Sequence, residues 1–164
     1  MIDEVLKANE VYAKNFTHGK LPKLPAKKLA VLACMDARLV LSQILGTATG
    51  DIHMIRNAGA IATEDALRSL LISHYLLDTR EFMIISHTDC GMMKFKDDDL
   101  LARLQKETGT AAFAPSQFHA FTNVEENVRR QIQKVRSHPW IPKSVSVRGF
   151  IYDVKTGRLN EVAE

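Results

Sequence analysis

Leu29-Ala-Val-Leu-Ala-Cys34 is an unbroken apolar run, short enough for a strand and apolar enough for one covered on both faces. Met35-Asp-Ala-Arg38 follows at once, so polar groups stand where that strand ends. Two more runs repeat the arrangement. Ile52-His-Met-Ile-Arg56 is closed by Asn57-Ala-Gly59, and Glu81-Phe-Met-Ile-Ile-Ser-His87 runs into Thr88-Asp-Cys-Gly91. Val145 to Tyr152 alternates as a fourth strand, and a short fifth follows the turn Val154-Lys-Thr-Gly-Arg158. Helical patterns separate these strands. They cover Ile2 to Asn15, the stretch from Cys34 to Leu45 stopped by Gly46, and Asp97 to Glu107 ended by Gly109. Another begins at Thr63, whose hydroxyl can cap a helix with Glu64 and Asp65 at its positive end. That helix reaches Leu77, apolar on most faces and so expected to be buried. Val124, Val128, Ile132 and Val135 place a single stripe on the last. This alternation predicts an α/β fold with a mainly parallel sheet, four parallel strands plus a short antiparallel edge strand, flanked by helices.

The chain has 164 residues, a length that suits one domain, 1–164, with a single core. Its 46% hydrophobic and 25% charged residues are ordinary for a globular protein. Net charge is only +3, and the densest basic cluster, Lys20, Lys23, Lys27 and Lys28, is interrupted by prolines. With aromatics at 7% there is no basic stripe with stacking residues, which argues against nucleic acid as a partner. No apolar run of about 18 residues exists to span a membrane. The acidic, amphipathic N-terminus is unlike a secretory signal, so a cytoplasmic location is the expectation.

In open α/β sheets, sites form beyond the carboxyl ends of the strands. Cys34, Gly59 and His87 all fall just past strand ends. His87 and Cys90 stand three residues apart at a strand-to-helix turn, so both can reach one ion. Two thiolates and an imidazole suit zinc, and three protein ligands leave a tetrahedral position free, as catalytic zinc sites do. Buried cysteines are more often inert, and a disulfide is not implied in a reducing compartment. Asp36 and Arg38, two and four residues beyond Cys34, sharpen the reading. Zinc with two thiolates and a neutral histidine carries no net charge, so hydroxide on it is anionic and a nearby guanidinium favours it. Arg38 can also hold Asp36 ionised in a two-pronged pair. Bringing water from a pKa of about 15.7 to about 7 represents roughly 12 kcal/mol, so such outer charge has work to do.

Cys34-x-Asp36-x-Arg38 followed by His87-x-x-Cys90 resembles the signature of the β-class carbonic anhydrases. The likeness extends to Arg56-Asn-Ala-Gly59, Arg148-Gly149 and the ending Asp153…Thr156-Gly-Arg-Leu159, and it is nearest the short bacterial and archaeal branch that reads His-Thr-Asp-Cys-Gly-Met. The resemblance implies one zinc ion (Zn2+) per chain on Cys34, His87 and Cys90. It makes Asp36 and Arg38 the catalytic dyad that orients zinc hydroxide, with the Gly59 amide beside the substrate. It implies carbon dioxide and bicarbonate as substrates, and a homodimer or dimer of dimers in which the N-terminal helix packs on a partner subunit. Ile2, Val5, Leu6, Val11 and Tyr12 give that helix a matching apolar stripe. The substrate-facing glutamine of the plant-type branch has no counterpart in Leu21-Pro-Lys-Leu-Pro25.

Some members of the family close the site by binding the counterpart of Asp36 to zinc, and others hydrolyse carbonyl sulfide or carbon disulfide. A zinc-bound bicarbonate or redox sensor of low turnover is a further alternative. His53 is weighed as a proton shuttle against a plain strand histidine, which is the commoner case. Asp97-Asp-Asp99 reads as three acids complementing a helix dipole. Met92 and Met93 read as wall or core residues near the site, and Trp140 as loop packing.

Overall fold

Strand β1 (Leu29–Cys34) lies inside a five-stranded sheet, between β2 (Ile52–Asn57) and β3 (Glu81–His87), in a computed structural model that describes residues 1–163. Strands β4 (Ser146–Tyr152) and β5 (Leu159–Glu161) continue the sheet beyond β3. The first four strands are parallel and β5 is antiparallel to β4, as the alternation predicts. Ala30 to Ala33 are sealed from solvent, which explains why β1 can be apolar without alternation. Cys34 pairs with Asn57, and β3 runs one residue further than β1, to His87 opposite Tyr152. Parallel strands release the chain at the same edge, so three separate loops meet there.

Two helices join these strands across the sheet. Helix α3 (Glu64–Leu77) begins at Thr63, whose Oγ1 accepts the Ala66 N–H at 3.3 Å. Helix α5 (Val124–Arg136) begins at Asn123, whose Oδ1 accepts the amides of Glu125 and Glu126. Its stripe packs on β4 at Gly149, where a Cβ would stand 2.4 Å from Val128 Cγ1 and 2.6 Å from Ile132 Cδ1. The Val128 and Ile132 side chains therefore rest directly on the strand backbone, in the space a strand side chain would fill. Val128, Ile132 and Val135 are fully or almost fully buried, each contributing about 1.5–3 kcal/mol by removal from water.

Several expectations change. The stretch after Cys34 is not helical until α2, a single turn at Leu41–Ile44. Asp36 is the reason: its carboxylate accepts the Arg38 N–H at 2.9 Å, a local bond that competes with helix. Helix α3 buries only Ala66, Leu70, Ser73 and His74, while Ile72, Tyr75 and Leu76 face solvent, so it is not covered on most faces. Trp140 is also exposed, its carbonyl taking the Tyr75 hydroxyl at 2.8 Å. Asp97, at the start of α4 (Asp97–Thr108), does more than complement a dipole. Its carboxylate accepts the amides of Phe118, His119 and Ala120 at 2.8–2.9 Å. Burial raises its pKa, but those three bonds outweigh it and the net shift is downward. The clamp carries the chain to Phe121, which packs at the loop edge of the sheet.

Helix α1 (Ile2–Lys14) buries none of its residues. Ile2, Val5, Leu6, Val11 and Tyr12 all stand exposed along it. No helix among the described residues is long and apolar enough to cross a membrane.

Candidate metal centre

Cys34 is the last residue of β1 and His87 the last of β3, so adjacent parallel strands deliver the first sulfur and the imidazole. Cys90 is returned to the same point by a tight turn in which Asp89 adopts φ +53°, a left-handed conformation that Asp tolerates better than most residues. The ligand atoms of Cys34, His87 and Cys90 lie within 4.8 Å of one another. The three residues are 4%, 0% and 2% exposed.

The donor set fits zinc. The two sulfurs are 4.0 Å apart, and zinc–sulfur bonds of about 2.3 Å at a tetrahedral angle require about 3.8 Å. The His87 Nδ1 atom lies 2.9 Å from the Thr88 carbonyl, which can only accept, so Nδ1 carries the proton and Nε2 presents a lone pair. That Nε2 is buried with no hydrogen-bond partner among the described residues. An imidazole lone pair left bare in a dry site is costly unless a cation takes it. The Cys90 thiol beside the Cys34 sulfur lowers the Cys34 pKa most, burial opposes it, and the neighbouring His87 ring and the amides of Asp36 and Gly59 lower it further, so the net shift is well downward. The same contact and burial push the Cys90 thiol upward, so a cation held here would take the place of its proton.

Asp36 sits at the rim of this cluster. Its Oδ2 is 3.6 Å from His87 Nε2. Arg38 grips it with two parallel bonds, Nε to Oδ1 at 2.9 Å and Nη2 to Oδ2 at 2.8 Å. The guanidinium keeps the Asp36 carboxyl far below the usual carboxylate range, despite the burial that opposes it. On its other edge Arg38 donates to Asp89, to the carboxylate at 3.2 Å and to the carbonyl at 3.1 Å. Lys94 reaches the same Asp89 carboxylate at 3.2 Å. Arg56 fixes the backbone beneath, donating to the Cys34 carbonyl at 2.8 and 3.0 Å and to that of Asp36 at 2.7 Å.

The third loop closes the site. Gly59 has φ +84° and its N–H donates to Cys34 Sγ at 3.4 Å. A Cβ there would meet Phe121 at 3.1 Å and Met92 at 3.2 Å, so the loop is pressed against an apolar wall. Asn57 braces it, donating to the Ile61 carbonyl at 2.7 Å and accepting the Ile61 N–H at 2.8 Å.

Cys34, Asp36, Arg38, Gly59, His87 and Cys90 are thus gathered at one edge of the sheet. His53 is not among them. It lies near the start of β2, opposite Ala30, with Nδ1 2.7 Å from Ser73 Oγ, and belongs to the far end of the strands. The sequence alone gives Asp89 and Phe121 no role and marks Arg56 only as part of the Arg56-Asn-Ala-Gly59 likeness. A signal for Asp89 is its place between His87 and Cys90, where an acid needs a reason.

A family model described as carbonic anhydrase matches residues 29–159. Beta-carbonic anhydrase 1 of Mycobacterium tuberculosis (strain H37Rv) is 45% identical over 161 residues, covering 98% of this chain and 96% of that protein. Carbon disulfide hydrolase of Acidithiobacillus thiooxidans is 35% identical over 81% of this chain and 76% of its own. The crystal structure of carbonic anhydrase from Streptococcus mutans superposes with a TM-score of 0.93 at 39% identity, covering 99% of this chain and 97% of that one. Sequence, fold and the clustered Cys–His–Cys donors agree, and the chain belongs to the β-class carbonic anhydrases.

Proposed function

We propose that this chain catalyses the reversible hydration of carbon dioxide to bicarbonate and a proton, with one zinc ion held by Cys34, His87 and Cys90. The observation that carries this reading is the convergence of two buried sulfurs and a bare imidazole nitrogen beside a carboxylate already neutralised by an arginine. When bound, zinc supplies the Lewis acidity that brings a water molecule's pKa toward neutrality. The residues around it do the rest. Asp36 faces the point where the three donors converge, and as an ionised carboxylate it can accept a proton there in a hydrogen bond. That bond turns a lone pair of the attacking oxygen toward the substrate carbon. Arg38 holds Asp36 ionised and in place, and its positive charge favours the anionic state that two thiolates disfavour. The wall of Met92 and Phe121 behind Gly59 gives a small apolar substrate a dry surface.

The protein works as a homodimer or a dimer of dimers on this reading. A 13-residue helix with no buried residue is marginal alone in water, and the exposed apolar side chains of α1 suit a second copy of the chain. A cytoplasmic location suits two thiols 4.0 Å apart that must stay reduced to bind metal.

Stopped-flow hydration of carbon dioxide from pH 6.5 to 9, with zinc content measured on the same sample, tests the activity. Turnover of carbon dioxide at about one zinc per chain is expected. Zinc-loaded protein that is silent at every pH contradicts it. Parallel assays with carbonyl sulfide and carbon disulfide assign the rival hydrolase if only those are turned over.

A further inference from the structure

Helix α5 carries two amide side chains into the core. Asn127 and Gln131, one turn apart, are 1% and 4% exposed among Val128, Ile132 and Val135. Buried amides persist only where their bonds are made, so their partners report what the helix is holding. Gln131 Oε1 accepts the Ala62 N–H at 2.9 Å. Gln131 Nε2 donates to Asn127 Oδ1 at 2.9 Å, and Asn127 Nδ2 donates to the Gly59 carbonyl at 3.4 Å. The ends fix the direction of this relay: a backbone amide only donates and a carbonyl only accepts, so neither side chain can be flipped.

The relay spans both ends of one turn, Gly59 to Ala62. Gly59 and Ala60 have φ +84° and +58°, and an alanine in the left-handed region persists only where its surroundings enforce it. Gly59 is also the residue whose N–H meets the Cys34 sulfur at 3.4 Å. Its carbonyl is therefore held by α5 while its amide is turned to a ligand of the proposed metal centre. We infer that Asn127, seated by Gln131, is a positioning residue for that centre, holding the Gly59 turn so that its amide stays bonded to Cys34 Sγ. The inference rests on the reading of Cys34 as a zinc ligand. An N–H bond to a thiolate draws charge from the sulfur, which donates less to the ion and leaves it a stronger Lewis acid.

Asn127→Leu keeps the branching and the number of side-chain heavy atoms and removes the donor to Gly59. The test compares it with the unaltered protein after zinc is replaced by cobalt(II), whose sulfur-to-metal charge-transfer band reports charge on the thiolates. The variant is expected to bind one metal per chain, to shift that band to longer wavelength, and in its zinc form to lose about 10-fold in kcat/KM. A lowered Tm with band and rate unchanged overturns the proposal, since it makes Asn127 a packing residue. Gln131→Met breaks the relay at its other end and is measured beside it, so that a misfolded Asn127→Leu does not end the test. A folded Gln131→Met with an unmoved band overturns the proposal equally. An unaltered cobalt protein with no sulfur band refutes instead the ligand assignment on which the proposal stands.

Discussion

Cys34→Ser is expected to leave a folded protein with almost no zinc and no hydration activity. The substitution is small, and Cys34 ends a strand in which Ala30 to Ala33 are sealed in the core, so the sheet keeps its packing. The chemistry changes completely. A serine hydroxyl does not ionise near neutral pH, and a site of one thiolate and one imidazole lacks the three donors that catalytic zinc requires. The whole enzymatic acceleration depends on the ion, and for enzymes such accelerations begin at roughly 10⁶-fold. Metal analysis should fall from about one zinc per chain to near zero, with the circular dichroism spectrum retained. Retained zinc in a folded Cys34→Ser protein contradicts the ligand assignment.

Asp36→Ala is expected to separate metal binding from catalysis. Both Asp36 oxygens are engaged by Arg38, and the three donor atoms converge without it, so zinc stays at about one per chain. What goes is the acceptor at the rim of the cluster. Removing such an outer partner costs about 10²-fold in kcat/KM, equivalent to about 2.7 kcal/mol of transition-state stabilisation. Arg38 remains tied to Asp89, so the variant isolates the carboxylate rather than collapsing the rim. Zinc content and stopped-flow rates on one preparation decide the matter. Loss of zinc with the carboxylate makes Asp36 a ligand, and the resting site then is closed.

The sheet was legible because its central strand is so plainly buried. The apolar run ending at Cys34 and the His87-x-x-Cys90 turn need only the parallel-sheet rule to be brought to one edge. The errors came where side chains bond locally or at long range. The segment after Cys34 has a helical pattern of apolar residues, yet one bond from Asp36 to the Arg38 amide redirects it. Asp97 has the composition of a dipole partner, but the amides it binds come from residues 118–120, a contact no spacing rule contains. Asn127 and Gln131 are ordinary residues for a helix surface, and only the docking of α5 on Gly149 turns them inward. The roles of Asp89 and Arg56 are hidden in the same way, although Arg56 stands in the Arg56-Asn-Ala-Gly59 motif. Each acts on backbone or charge brought near by folding, and each is visible only once the loops have met.

Zinc-edge X-ray absorption on the protein as purified tests the central claim most directly. The account predicts about one zinc per chain with two sulfur neighbours at about 2.3 Å and two nitrogen or oxygen neighbours at about 2.0–2.1 Å. A zinc-free protein, or a first shell with fewer than two sulfurs, contradicts it.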